Sequence, residues 1–262
     1  MKPVLFITAF CIALIVIVVT AAQLDRPQQP HAAALVSTPT PTALPSLTHK
    51  TVEWEGETYA YAFTQATPSR ISLIANFSPR LDAATIMRSH DCQSAINGGF
   101  YDTNNKPLGY FKTQGKTMGT PTVSALFNGF FSIDQLGVVS VAHEIPQNPL
   151  LAVQTGPLLI ESGETIPLRI KNDERARRMI GAVSTSQAVL FLTVYNPEAV
   201  FEGPRLGDLP EIVKKIGYLE SLAITSAINF DGGSASAFYS DTTKLSELTP
   251  IGSLFCVKSQ VQ

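Results

Sequence analysis

The chain has 262 residues, 19 Lys and Arg against 21 Asp and Glu, and a formal net charge of −2. A near-neutral chain with no long basic run is not built to bind nucleic acid by neutralising phosphates, so no nucleic-acid partner is expected. Its length allows one domain with a sizeable core once the N-terminal segments are set aside.

The run Val4–Thr20 is apolar or small throughout and is led by Lys2. A membrane-spanning helix needs about 20 such residues, so residues 1–22 sit between a long signal peptide and a short membrane anchor. Thr20-Ala21-Ala22 offers the small residues that a signal peptidase reads. Cleavage and retention both stay open, and the retained form would touch the membrane. Cys11 follows Phe10 rather than the small residue of a lipoprotein site, which makes it an apolar filler. Residues 23–50 are rich in Pro and Thr, as in Ser37-Thr-Pro-Thr-Pro-Thr. Such a stretch buries too little apolar surface to fold and stays extended, as a linker would. Together these segments predict a domain outside the cytoplasm, secreted or anchored. Cys92 and Cys256 remain as a pair, read equally well as a disulfide or as two buried thiols.

Within residues 51–262, Tyr59–Thr64 and Arg70–Phe77 read as strands. Pro79–Arg88 reads as a helix capped by Ser78. Ser94–Asn97 ends as a strand at Gly98. Thr122–Phe127 and Phe130–Ile133 flank Asn128-Gly129, a hairpin signal. Met179–Ser184 and Ala188–Val194 are β-rich around a Thr185–Gln187 turn. A second helix is expected from Asp208, with the stripe Leu209, Ile212, Val213 and Ile216, ending at Gly217. Ala227–Phe230 is a short buried strand. Strands dominate, so the expected class is α+β, a mixed, mostly β sheet core with two or three flanking helices in a single catalytic domain.

Three segments share one design, an apolar strand that stops at glycine beside a polar residue. They are Asn97-Gly98-Gly99-Phe-Tyr-Asp102, Gln154-Thr155-Gly156-Pro157 and Asn229-Phe-Asp231-Gly232-Gly233-Ser234. Glycine lets a partner approach the main chain closely, so three such loops point to one crevice. A fourth segment, Arg175-Ala-Arg177-Arg178, places arginines just before a strand, and arginine forks suit oxyanions. The four histidines, His31, His49, His90 and His143, are scattered without zinc-ligand spacing, so neither a metal nor another cofactor is expected. No Gly-x-Ser-x-Gly elbow is present.

These motifs, with Pro107-Leu108-Gly109 and Arg177-Arg178-Met179-Ile180-Gly181, resemble in order those of the phosphodiester glycosidases. The resemblance spans roughly Ala95 to Ser236. Two positions depart from it: Arg178 and Met179 stand where the family has Thr and Ala, and Ser234 replaces the third glycine after Asp231. The resemblance implies hydrolysis of a sugar-1-phosphodiester on an exported or cell-envelope glycan. A phosphate leaves readily, so charge stabilisation matters more than proton donation. Asp231, at a strand end with a partly dry setting, is then the first candidate for catalysis, and Asp102 the second. Arg177 would clamp phosphate, with Arg178 one register away. Asn97, Thr155 and Asn229 would bond sugar hydroxyls or position water, with Gly98, Gly99, Gly156, Gly232, Gly233 and Ser234 lining the site. The competing reading is a carbohydrate-binding surface domain without turnover.

Overall fold

The computed structural model describes residues 50–259. The signal or anchor segment 1–22 and the linker as far as residue 49 lie outside the described residues. Among the described residues no helix is long and apolar enough to cross a membrane.

Three sheets make up the domain. The first pairs Lys50–Trp54, Glu57–Ala66, Val189–Tyr195, Arg178–Ser184, Ile224–Asn229, Leu158–Glu161 and Glu164–Thr165 in that order. The second pairs Lys244–Leu245, Phe238–Tyr239, Cys92–Asn97, Ser253–Lys258 and Ile71–Ala75. The third pairs Lys116–Met118, Phe111–Thr113, Pro149–Thr155, Gly129–Asp134 and Val139–Ala142. With two α-helices among the described residues, α1 (Ala83–Ser89) and α2 (Leu209–Leu219), the class is α+β. The described ladders are antiparallel throughout rather than mixed.

Val189–Tyr195 shows how sequence becomes layer. All seven residues are buried, because the strand is covered on both faces. Val189, Phe191 and Tyr195 enter the core between the sheets. The alternate residues Leu190, Leu192 and Val194 pack with Leu209, Ile212, Val213 and Ile216 of α2. That helix runs two residues beyond Gly217, so the expected stop there is corrected. A Cβ on Gly217 would lie 3.2 Å from Ile224 Cδ1, so the glycine makes room for packing inside the last turn.

Two further expectations are corrected. Helix α1 starts at Ala83, not Pro79, and its cap is Asp82, whose carboxylate accepts from the Thr85 amide at 2.8 Å. Ahead of it the Asn76 side chain bonds both the amide and the carbonyl of Leu81, and Arg80 has φ +50°. A helix cannot run through a residue held there. Thr122–Phe127 is not a strand either. Gln154 Nε2 donates to the carbonyls of Thr122 and Phe127, and Gln154 Oε1 accepts from the Thr122 amide. A side chain satisfies this backbone, which leaves no need for a partner strand. The true hairpin joins Gly129–Asp134 to Val139–Ala142.

At the centre, Phe131 of the third sheet, Phe191 of the first and Phe255 of the second meet Phe230, with ring centroids 5.2–6.3 Å apart. Cys92 and Cys256 form a disulfide between neighbouring strands of the second sheet, with Cα atoms 5.3 Å apart.

Candidate active site

The site begins where Ile224–Asn229 ends. Phe230 is fully buried in the aromatic cluster, and its amide donates to the Met179 carbonyl at 2.7 Å. That anchor delivers the next residue, Asp231, to the rim of the core. The Asp231 amide donates to the Gly98 carbonyl at 3.1 Å, and the Asp231 carbonyl accepts from Asn97 Nδ2 at 2.8 Å. The Gly233 amide donates to the Arg177 carbonyl at 2.9 Å. On the other flank, Thr155 Oγ1 donates to the Asn229 carbonyl at 2.9 Å, and Asn229 Nδ2 donates to the Gly156 carbonyl at 3.0 Å. The four segments singled out in the sequence therefore meet, bond to bond, around residues 229–233.

The expected division of labour among them is corrected. Asn97, Thr155 and Asn229 are buried at 1%, 0% and 3% exposure, and they bond main chain as just described. Their bonded atoms hold the loops together; Asn229 Oδ1 is buried without a hydrogen-bond partner. Several glycines likewise admit protein atoms, side chain at Gly98 and Gly99 and main chain at Gly156 and Gly232, rather than a ligand. A Cβ on Gly98 would meet Ser253 Oγ at 2.4 Å, and one on Gly99 would meet Val153 Cγ2 at 2.6 Å. One on Gly156 would meet the Leu126 carbonyl oxygen at 2.4 Å, and one on Gly232 the Arg177 carbonyl oxygen at 2.5 Å. The accessible rim beside Asp231 is Gly232, Gly233 and the exposed Ser234.

The arginines are also committed. Arg177 is fully buried. Its Nε donates to Ser236 Oγ at 2.8 Å, its Nη2 donates to the carbonyls of Ser236 and Ser246, and the guanidinium lies 4.5 Å from the Phe201 ring centroid. Burial lowers its pKa to about 10, opposed by Glu247 and two tyrosines, so it stays charged at neutral pH. Arg178 donates to the carbonyls of Pro204 and Glu174 and stands 3.6 Å from Asp173, with its side chain 11% exposed. Arg175 pairs with Glu57. In this arrangement Arg177 keeps one buried nitrogen, Nη1, without a hydrogen-bond partner, while its Nε and Nη2 are bonded to the protein.

The two carboxylates part company. Asp102 Oδ1 accepts from the amides of Asn104 and Lys106 at 2.9 and 2.8 Å. These bonds favour the charged form and hold its pKa below the usual range. It builds a turn on the wall of a cleft of about 500 Å³, shared with Phe77, Lys106, Leu108 and Met118. Asp231 is half-buried. Desolvation pushes its carboxyl up to about 7, against the opposing pull of the Gly232 amide. A carboxyl that changes charge near neutrality is suited to move protons at working pH. Among the described residues no group of three or more His, Cys, Asp or Glu is placed to hold a metal ion.

The sequence reading missed Gln154 as an organiser, although it directly precedes Thr155. It also missed Ser236, two residues beyond the last motif, and Phe201 and Ser246, which carry no local signal.

The frame is that of an α+β domain whose motif loops converge on one acid. A family model for phosphodiester glycosidase matches residues 90–258, and the chain belongs to the phosphodiester glycosidase family. The fold is similar to that of the catalytic domain of zebrafish N-acetylglucosamine-1-phosphodiester alpha-N-acetylglucosaminidase, solved auto-inhibited by its pro-peptide. That match has a TM-score of 0.63 and 14% identity, and covers 81% of this chain and 82% of that one. A hypothetical protein from Synechocystis matches with a TM-score of 0.53 and 17% identity, over 80% of this chain and 61% of that one. No curated protein matches in sequence.

Proposed function

We propose that this protein hydrolyses the glycosidic bond of a sugar-1-phosphodiester, acting on a glycan outside the cytoplasm, with Asp231 as the group that activates water. The observation that carries the reading is the meeting of all four motif segments at one half-buried carboxyl whose pKa lies at about 7. In the step proposed, Asp231 takes a proton from water as the water oxygen bonds the anomeric carbon. The bond from that carbon to the phosphate oxygen breaks, and its electron pair leaves on the phosphate. The products are a free sugar and a phosphomonoester, and Asp231 then returns its proton to solvent. A phosphate oxygen is weakly basic, so no second carboxyl is needed to protonate it, unlike the pair used on ordinary glycosides. Gly232, Gly233 and Ser234 form the rim that the substrate would meet. The apolar residues 1–22 and the Pro/Thr-rich linker support a site held outside the membrane.

The test is release of reducing sugar from a sugar-1-phosphate methyl diester by the full chain. Asp231→Asn is expected to lower kcat by about a thousandfold or more while binding survives. Turnover that persists in Asp231→Asn sinks the role of Asp231. A wild-type chain that binds the diester and never releases sugar is a binding domain, which sinks the enzymatic reading.

A further inference from the structure

We infer that Arg177 is a positioning residue: its buried guanidinium, acting through Ser236, sets the conformation of the loop that carries Asp231. The inference rests on the reading of Asp231 as the reacting group.

Arg177 grips the loop in two ways. Its main-chain carbonyl accepts from the Gly233 amide at 2.9 Å. Its side chain donates to the hydroxyl and the carbonyl of Ser236, and the Ser236 hydroxyl in turn donates to the Gly233 carbonyl at 2.6 Å. Both polar groups of the Gly233 peptide are thus tied to Arg177, one directly and one through Ser236. The Nη2 that bonds the Ser236 carbonyl also donates to the Ser246 carbonyl at 2.9 Å, and Nη1 is buried without a hydrogen-bond partner. The flat face of the guanidinium lies on Phe201, whose carbonyl accepts from the Arg177 amide at 2.9 Å. The loop is therefore fixed against two other segments by one fully buried cation. A buried charge placed among carbonyl acceptors is strongly directional, because each bond lost leaves an ion without its partner. Asp231 stands two residues before Gly233, so slack in this turn swings the carboxyl and admits water to it.

The same geometry separates positioning from phosphate binding. A phosphate ligand changes affinity for diesters alone. A positioning residue changes turnover and the setting of Asp231, and it does so through Ser236, which carries no charge.

The experiment compares Ser236→Ala, Ser236→Thr, Arg177→Lys and Arg177→Met in the full chain. Ser236→Ala is the mildest change and keeps the fold testable if the arginine variants do not accumulate. Ser236→Ala is expected to lower kcat by about tenfold, and Arg177→Met by about a hundredfold, with KM within about threefold of wild type. Arg177→Lys and Ser236→Thr should recover part of the loss. The pH at which kcat rises should fall below that of wild type in Ser236→Ala, as water reaches Asp231. Hydrogen exchange at the Gly233 amide should quicken in Ser236→Ala, a readout that needs no activity. The inference is overturned if Arg177→Lys and Arg177→Met raise KM for diesters alone, or if Ser236→Ala leaves kcat, pH profile and exchange unchanged. Activity retained in Asp231→Asn would instead sink the catalytic reading itself, and the exchange result would stand apart from it.

Discussion

Asn97 and Asp231 lie 134 positions apart in the chain, and the side-chain amide of the first donates to the main-chain carbonyl of the second at 2.8 Å. The other end of the same amide, Asn97 Oδ1, accepts from the Ala237 amide at 2.9 Å. One buried asparagine therefore holds both ends of the loop from Asp231 to Ala237 against the end of the strand Cys92–Asn97.

Asn97→Ala removes this staple and leaves the Ala237 amide and the Asp231 carbonyl without it. Each orphaned buried group costs about 1–3 kcal/mol, so unfolding free energy should fall by about 2–6 kcal/mol in a urea titration. Asn97→Asp should be no better. It keeps an acceptor for Ala237 but sets a carboxylate oxygen against the Asp231 carbonyl. Stability of Asn97→Asp equal to wild type would show that the bridge is not needed.

Asp231 makes stability depend on pH in an unusual direction. Its folded pKa of about 7 lies above the ordinary 3.8, so the native state holds a proton that the unfolded chain gives up. The benefit is complete below about pH 4, declines as pH rises, and is gone above about pH 7. Three pKa units would correspond to about 4 kcal/mol, and the partly wet side chain reduces this to about 2 kcal/mol. Asp231→Asn carries no such charge. It should match wild type in stability at pH 4 and exceed it by about 2 kcal/mol at pH 8, measured by denaturant midpoint. Wild-type kcat should run the other way and rise through about pH 7 as the base form appears. A gap that does not change between pH 4 and pH 8 would mean that Asp231 is not desolvated.

Much of this arrangement was legible in the sequence, and what was not has a common cause. Polar residues beside glycine at strand ends marked three of the four segments that meet, because at Gly156 and Gly232 main chain passes within 2.4–2.5 Å of a would-be Cβ, and the run of arginines marked the fourth. The apolar stripe of α2 was readable from its own periodicity. The direction of Asn97 and Arg177 was not. Both residue types commonly face solvent or ligand, and their inward turn depends on Ala237, Ser236 and Ser246, which are distant in sequence. Asn128-Gly129 misled for the same reason, since its neighbours are claimed by Gln154 and the Asn128 carboxamide by the Leu158 amide. Local turn chemistry gave way to tertiary hydrogen bonds.

The disulfide Cys92–Cys256 joins two strands of the second sheet across a sequence separation of 164. Losing such a link costs about 2–5 kcal/mol through the freedom returned to the unfolded chain. Reduction should lower the denaturant midpoint by a matching amount and leave kcat intact under native conditions, because the bridge joins two strands that are also hydrogen-bonded to each other. An unchanged midpoint on full reduction, verified by thiol titration, would show that the bridge constrains little.

Asp102 offers a direct check on the division between the two carboxylates. Its oxygen is occupied by the amides of Asn104 and Lys106, and its pKa is held low by them. Asp102→Ala should loosen that turn, lower Tm slightly and leave kcat and the pH profile where they are. A collapse of kcat in Asp102→Ala with the fold intact would return it to the reaction.

Gly232 separates two reasons for a glycine. Its φ of −118° is open to any residue, so space alone excludes a side chain: a Cβ would sit 2.5 Å from the Arg177 carbonyl oxygen. Backbone cannot yield there without moving the Gly233–Arg177 bond. Gly115 is the opposite case, with φ +74° and nothing within 4 Å of a built Cβ. Gly232→Ala should displace the loop, cost about 1–3 kcal/mol through overpacking and lower kcat by about a hundredfold. Gly115→Ala should cost about 1–3 kcal/mol through backbone strain alone and keep kcat. Two variants of similar stability and very different turnover would tie the loss to the position of Asp231; equal kcat in both would mean that the loop tolerates the shift.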